Sequence, residues 1–381
     1  MKYLILFILL TLIRHVTLSQ DNFNYPVDVD YHKATETYYV SNWADGAGFI
    51  LKLNSQGQIM DTYIEGLHYP GGLCIVGDTL FYTDNLSIWD NNLTPSYLMG
   101  INVVTGAQFL NYEISTSGTY LDLIDADNDG NLYIGNTREG GNNGIVHKFN
   151  IATQQLTNIA TNITKPFGVC YDPDDNQVLF VQSSGTLSLV KSVSPEGGTV
   201  TNKFYINGYL EGIEMDTLGN FYFSSWGTIP PADTAWGNEP IYKAGHAMNW
   251  SMVLESNHNR PFGMCIGKNN HLAVCDWGEN SLSFINLNDF GIDEFAGYFN
   301  NLKIYPNPSN GFVTLETELE SPGNPELMVH DLTGRVVYKS EIATSCIKIN
   351  HRIDLLFLDP GTYILILASE NHYSREKLII H

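Results

Sequence analysis

The chain has 381 residues, with 19 basic against 41 acidic side chains and a net charge of −22. So acidic a composition offers no basic stripe to meet phosphates, which excludes nucleic acid as the expected partner. The length is enough for two or three domains, each with its own core.

Lys2 is followed by an apolar run from Tyr3 to Leu12 and then by Thr17-Leu18-Ser19, with small residues at the positions a signal peptidase reads. Residues 1–19 therefore read as a signal peptide. Its removal leaves 17 basic and 41 acidic residues, a net of −24. No later stretch reaches the roughly 18 apolar residues a membrane span needs, so no transmembrane segment is expected.

From there the chain repeats one unit. A turn, a short apolar run, an Asx/Gly reversal and a second run ending in Asn, Asp or Ser recur six times, beginning at Pro26, Pro70, Leu121, Pro166, Leu210 and Pro261. The steps between them are 44, 51, 45, 44 and 51 residues. A period in this range with about four strands per unit predicts propeller blades. In the first repeat, residues 27–31, 38–41, 49–53 and 58–64 are β-rich runs between polar turns, and helical periodicity is scarcely detectable anywhere.

The two long steps carry insertions, residues 85–98 with Trp89 and residues 227–240 with Trp236, both after the end of a second strand. They are expected on one face of the disc, where a rigid scaffold usually places binding. The strand that closes the ring is open at this point: residues 292–295 and the mature N-terminus around 21–25 both qualify.

Cys74, Cys170 and Cys265 lie two residues after the repeat glycine in alternate blades, too far apart for bridges, and read as small buried hydrophobes. A reversal centred on Asn270 would set Cys265 opposite Cys275, the one pairing the register allows; Cys346 is left over.

After residue 298 the grammar changes to strands at short intervals, which suggests a small Ig-like β-sandwich over residues 299–381. Tyr305-Pro306-Asn307-Pro308 with Gly311, Asp331 with Gly334-Arg335, and Pro360-Gly361-Thr362-Tyr363 follow one another in order. In these motifs the segment resembles the type A C-terminal sorting domain of the bacterial type IX secretion system. The resemblance implies passage through the periplasm, contact of residues 301–381 with the secretion machinery, and release from, or attachment to, the outer surface.

Several residues are candidates for chemistry. Asp125, Asp127 and Asp129 have the D-x-D-x-D-G spacing of a calcium loop, but position twelve is Asn136 rather than Glu. Similar Asx/Gly reversals in other repeats favour a hairpin turn. One residue after the repeat Pro or Leu stand Val27, Gly71, Asp122, Phe167, Glu211 and Phe262, so the two acids break the pattern. Over residues 25–290 the repeats resemble the NHL propellers and the senescence-marker-protein, gluconolactonase and paraoxonase group. In that group acids and amides from several blades converge on one Ca2+ at the channel mouth. Carried over, the resemblance implies a metal held by Asn24, Asp122 and Glu211, with Glu211 and Asp122 as candidate catalytic groups of a lactonase; Phe167 stands where that group has an Asn.

The second strands end in Asn42, Asp84, Asn136, Ser183, Ser225 and Asp276, and tryptophan follows in blades one, five and six as Trp43, Trp226 and Trp277. With Trp236, Asn42 and Asp276 they form a candidate platform for an extracellular small molecule, glycan or protein. Packing between blades is the simpler use of repeat-locked aromatics. The expectation is an all-β protein, a six-bladed propeller over residues 20–298 followed by the sorting domain, secreted or surface-held, binding a ligand; the alternative is a calcium-dependent lactone or ester hydrolase.

Overall fold

The computed structural model describes residues 15–19, 22–86, 95–114, 120–137, 143–183, 187–225, 239–246, 251–287, 299–319, 324–330, 336–342, 347–369 and 372–381. The chain separates into two units, residues 1–288 and 289–381.

The first unit holds six four-stranded antiparallel sheets, one per repeat. Their inner strands are Pro26–His32, Tyr69–Val76, Leu121–Ala126, Pro166–Asp172, Leu210–Met215 and Pro261–Ile266. Each packs against the inner strand of the next blade, and the sixth packs against the first, so the sheets close a ring. The alternation of apolar residues read from the sequence serves this arrangement directly, because every sheet has a neighbour on both faces. Tyr39, Ile50, Leu73 and Leu80 fill the gap between blades one and two, and Cys170, Val190, Ile213 and Phe223 the gap between blades four and five.

All six inner strands carry the same irregularity. The register slips between the repeat Pro or Leu and the residue three positions on, as between Pro26 and Val29 or Leu210 and Ile213. A bulge of this kind adds one unpaired residue and re-aims the side chains beside it. It also brings neighbouring backbones close. A Cβ on Gly168 would lie 2.6 Å from the carbonyl oxygen of Glu211, and one on Gly212 would lie 2.6 Å from that of Phe262. The repeat glycine is thus a requirement of close approach between blades.

Hydroxyls clip one blade to the next at the same level. Ser41 Oγ donates to Gly71 O at 2.7 Å, Ser183 Oγ to Leu210 O at 2.6 Å and Ser224 Oγ to Phe262 O at 2.5 Å. Two residues further in, acids of blades one and three do the same work. Asp30 Oδ2 accepts from Ile75 N and Asp125 Oδ2 from Tyr171 N, both at 2.6 Å.

The strand that closes blade six is His15–Ser19, antiparallel to Ser281–Asn286. Residues 22–25, at the expected mature N-terminus, do not fill that place. Residues 292–295 lie outside the described residues, and the closing strand falls inside the stretch that reads as a leader. Cys265 and Cys275 are free, as are Cys74 and Cys170, and all four are buried. The pairing of these two cysteines allowed by the sequence is therefore corrected. Cys265 stands opposite Ala273, two residues short of Cys275, so the register does not set the two cysteines against each other. Cys346 lies outside the described residues.

The second unit is a sandwich. A three-stranded sheet of Phe299–Tyr305, Phe312–Leu319 and Lys348–Asp354 and a four-stranded sheet of Val336–Glu341, Glu326–His330, Gly361–Ser369 and His372–Ile380 share one core. Val313 and Leu315 from the first meet Leu327, Leu365 and Leu378 from the second. The Pro-Asn-Pro motif is tied to the last strand, with Asn307 Oδ1 accepting from Ile379 N at 2.9 Å. Tyr363 of the Pro-Gly-Thr-Tyr motif donates to Asp359 O at 2.8 Å. Asp331, Gly334 and Arg335 lie outside the described residues.

Candidate functional site

The inner strands begin, and the second strands end, at the same mouth of the channel, because Pro26 pairs with Asn42 and Pro261 with Asp276. Two repeat positions line it. The residue before the repeat Pro or Leu is Tyr25, Tyr69, Tyr120, Lys165, Tyr209 or Arg260 in blades one to six. Tyr25, Lys165 and Arg260 have φ of 54°, 42° and 53°. A left-handed backbone at non-glycine residues just before proline costs on the order of 1–3 kcal/mol each and is typical of positions constrained by function.

The residue after the repeat Pro or Leu is re-aimed by the bulge. Asp122 and Glu211 occupy it in blades three and five and are fully buried. They flank the inner strand of blade four, which packs against both of theirs, carries Phe167 and is preceded by Lys165. Thr137 Oγ1 donates to Asp122 Oδ2 at 2.9 Å. Among the described residues, Asp122 Oδ1 and both oxygens of Glu211 have no hydrogen-bond partner, and neither has the Tyr120 hydroxyl. Burial pushes both acids well above the usual carboxylate range, and the charge of Asp122 adds to the rise at Glu211. Lys165 opposes it at both. The same two acids, after burial, raise the Tyr120 hydroxyl, so these three groups stand within electrostatic reach of one another.

Tyr120 also belongs to a connected set of rings. Trp43 makes edge contacts with Tyr69, Tyr120, Phe262 and Trp277 at centroid distances of 6.4, 6.2, 6.2 and 6.1 Å. Tyr25 stacks on Trp277 at 4.5 Å, and the Arg260 guanidinium lies over the same indole at 5.1 Å. Phe167 and Tyr209 form a second contact at 5.6 Å across blades four and five. Trp43 and Trp277 are half-buried, resting on Val27, Leu123 and Phe262. The structure thus brings Trp43 and Trp277 together, as adjacent blades require; Trp226 and Trp236 lie outside the described residues.

The other candidates sit elsewhere or are engaged. Asn42 is buried, with Oδ1 accepting from Asn24 N at 3.0 Å and Nδ2 donating to Val40 O at 3.0 Å. Asp276 accepts from Ser283 Oγ and lies 2.8 Å from His258 Nδ1. Asn24 is exposed. In the D-x-D-x-D-G turn, Asp127 accepts from the backbone of Asp129 and Asn131 and from the side chains of Asn131 and Tyr133. Asp216 repeats that network with Leu218, Asn220 and Tyr222. Asp125 turns away to the backbone of blade four.

Among the described residues the one cluster of three His, Cys, Asp or Glu side chains with ligand atoms within 4.8 Å of one another is Asp172, Asp175 and His246, at the opposite end of the blades. At the mouth, Asp122 and Glu211 bring two carboxylates toward the six to eight oxygens calcium takes, while Val27, Phe167 and Phe262 occupy the equivalent places in blades one, four and six. Among the described residues, the side chains there do not build a full calcium shell.

Residues 303–381 match the family described as secretion system C-terminal sorting domain. With the motifs above, this is the type IX sorting domain, and the protein is secreted or held at the outer cell surface. Among the described residues no helix is long and apolar enough to cross a membrane. No curated protein sequence matches the chain. The propeller is similar to a calcium-binding protein, regucalcin, from Agrobacterium tumefaciens, with a TM-score of 0.53 and 13% identity over 71% of this chain and 92% of that one. A luciferin-regenerating enzyme is similar at a TM-score of 0.53 and 13% identity, covering 74% of this chain and 97% of that one. At such identity the likeness shows the fold.

Proposed function

We propose that this protein is an exported binding propeller whose ligand docks at the channel mouth on the Trp43 and Trp277 rings. The observation that supports this most is the combination of a half-buried aromatic patch drawn from several blades with buried acceptors that have no partner. Buried polar atoms without partners cost about 1–3 kcal/mol each, and such a cost persists where a ligand offsets it. Pinned indoles lose little entropy when a flat ligand settles on them.

Trp43→Ala and Trp277→Ala test the reading in a screen of glycans, small metabolites and peptides followed by tryptophan fluorescence. The expected outcome is binding weakened about tenfold or more by either substitution, with the melting temperature changed by only a few degrees. A collapse of stability without any ligand found would make both indoles core and remove the proposal.

The second reading, a calcium-dependent lactonase or esterase, draws on the three unpartnered carboxylate oxygens and on the fold shared with a calcium-binding protein. It requires donors beyond Asp122 and Glu211. Lactone hydrolysis that depends on added calcium and vanishes in Glu211→Gln would establish it; no hydrolysis with calcium present would end it.

A further inference from the structure

The polar atoms at the mouth narrow the class of ligand, an inference that rests on the binding reading above. Asp122 and Glu211 stand at the same bulged position of blades three and five, with the inner strand of blade four packed against both of theirs. Both side chains are fully buried. Among the described residues, Asp122 Oδ2 is engaged by the Thr137 hydroxyl, while Asp122 Oδ1 and Glu211 Oε1 and Oε2 accept no hydrogen bond.

Aromatic rings stand beside these oxygens. Burial raises the Tyr120 and Tyr209 hydroxyls, and both acids add to the rise, so two phenols lie within electrostatic reach of the pair. Phe167 joins them through its contact with Tyr209 at 5.6 Å. Lys165 opposes the rise at both acids, yet it is exposed and donates to none of the three oxygens.

Three free acceptors set among rings match a primary ammonium group, which carries three N–H donors and a positive charge that aromatic faces attract. A cation hydrogen-bonded to a buried carboxylate stabilises its charged form, which offsets the burial that raises both acids. Calcium is a poorer match, because it takes six to eight oxygens and the equivalent positions of blades one, four and six hold Val27, Phe167 and Phe262. A neutral hydroxyl brings one donor and no charge. We propose that the mouth binds a primary amine on an apolar or aromatic carbon skeleton, its ammonium group donating to Asp122 and Glu211 and its skeleton lying against Tyr120, Tyr209 and Phe167. The net charge of −22 draws such cations toward the protein.

The full secreted chain can be titrated calorimetrically with 2-phenylethylamine and 3-methylbutylamine, each against the alcohol of the same skeleton, and with calcium chloride. Wild type is compared with Glu211→Gln, and with Asp122→Asn should Glu211→Gln fail to fold. Each amine should bind about tenfold more tightly than its alcohol, and the substitution should weaken the amine about tenfold while leaving the alcohol within about twofold. Equal binding of amine and alcohol, or amine binding untouched by the substitution, would overturn the amine class while leaving the binding reading intact. Calcium binding that is lost in the variant, with no binding of either amine, would give the acids to a metal and overturn the inference. Failure of both amines and of calcium to bind would also overturn it, and the wider ligand screen then judges the binding reading by itself.

Discussion

Asp30 illustrates how much a single side chain can be made to do. Its carboxylate is drawn between blades one and two, accepting from Tyr31 N and Ile75 N. Burial nevertheless outweighs those two bonds and raises its pKa to about 7. Asp28, Asp125 and Glu214, around the same channel, are raised for the same first reason. A carboxyl whose folded pKa lies above its unfolded value of 3.8 binds more protons in the native state between those two limits. Its contribution to stability is therefore greatest below the unfolded pKa and is lost as pH rises toward 7. Thermal melts of the propeller should fall between pH 4 and pH 7, and Asp30→Asn should flatten that slope. A wild-type slope of the opposite sign, or one unchanged in Asp30→Asn, would contradict this account. Asp127 runs the other way, held low by Asn131 and Tyr133 despite its burial, and marks a turn satisfied by its own hydrogen bonds.

At the scale of the element, the informative strand is His15–Ser19. A propeller gains by closing its ring with a strand from the opposite terminus, because the last blade otherwise presents an open edge. Here the outer partner of Ser281–Asn286 comes from residues that also read as the end of a leader. A chain that begins at His15 should melt higher than one that begins at Gln20, by about 2–4 °C for each kcal/mol of pairing lost. Equal melting temperatures would show that the strand contributes nothing to the mature blade. N-terminal sequencing of the secreted protein then tells which form the cell makes. The same scale explains the turns. Asp127 and Asp216 solve one hairpin with one set of partners, so the D-x-D-x-D-G spacing is the repeat's own Asx turn carried one aspartate further.

For the molecule as a whole, the tail decides where the propeller works. The sandwich has its own core and its Pro-Asn-Pro motif is tied into its own last strand, so it can act as a label independent of the cargo. A chain lacking residues 301–381 should be retained inside the cell envelope with its propeller folded. Its normal appearance in the medium or on the surface would refute the sorting role.

The repeat, the six sheets and the sorting tail were legible in the sequence, because each blade buries its residues against a copy of itself and so writes the same pattern six times. Asp122 and Glu211 were legible too, as breaks in that pattern. The aromatic run was only half visible. Trp43 and Trp277 followed from their repeat position, while Tyr25, Tyr120 and Arg260 belong to a position that looks like an ordinary turn until the ring closes and sets blade six beside blade one. Closure itself was not visible, since an edge strand of five residues is defined by the partner it meets. Nor were the fates of Asn42 and Asp276, whose buried side chains serve the backbone and neighbours of their own blades. Periodicity along the chain determined the elements and their number; the spatial return of the chain upon itself decided which side chains face one another, because contacts across the ring join residues that no local pattern relates.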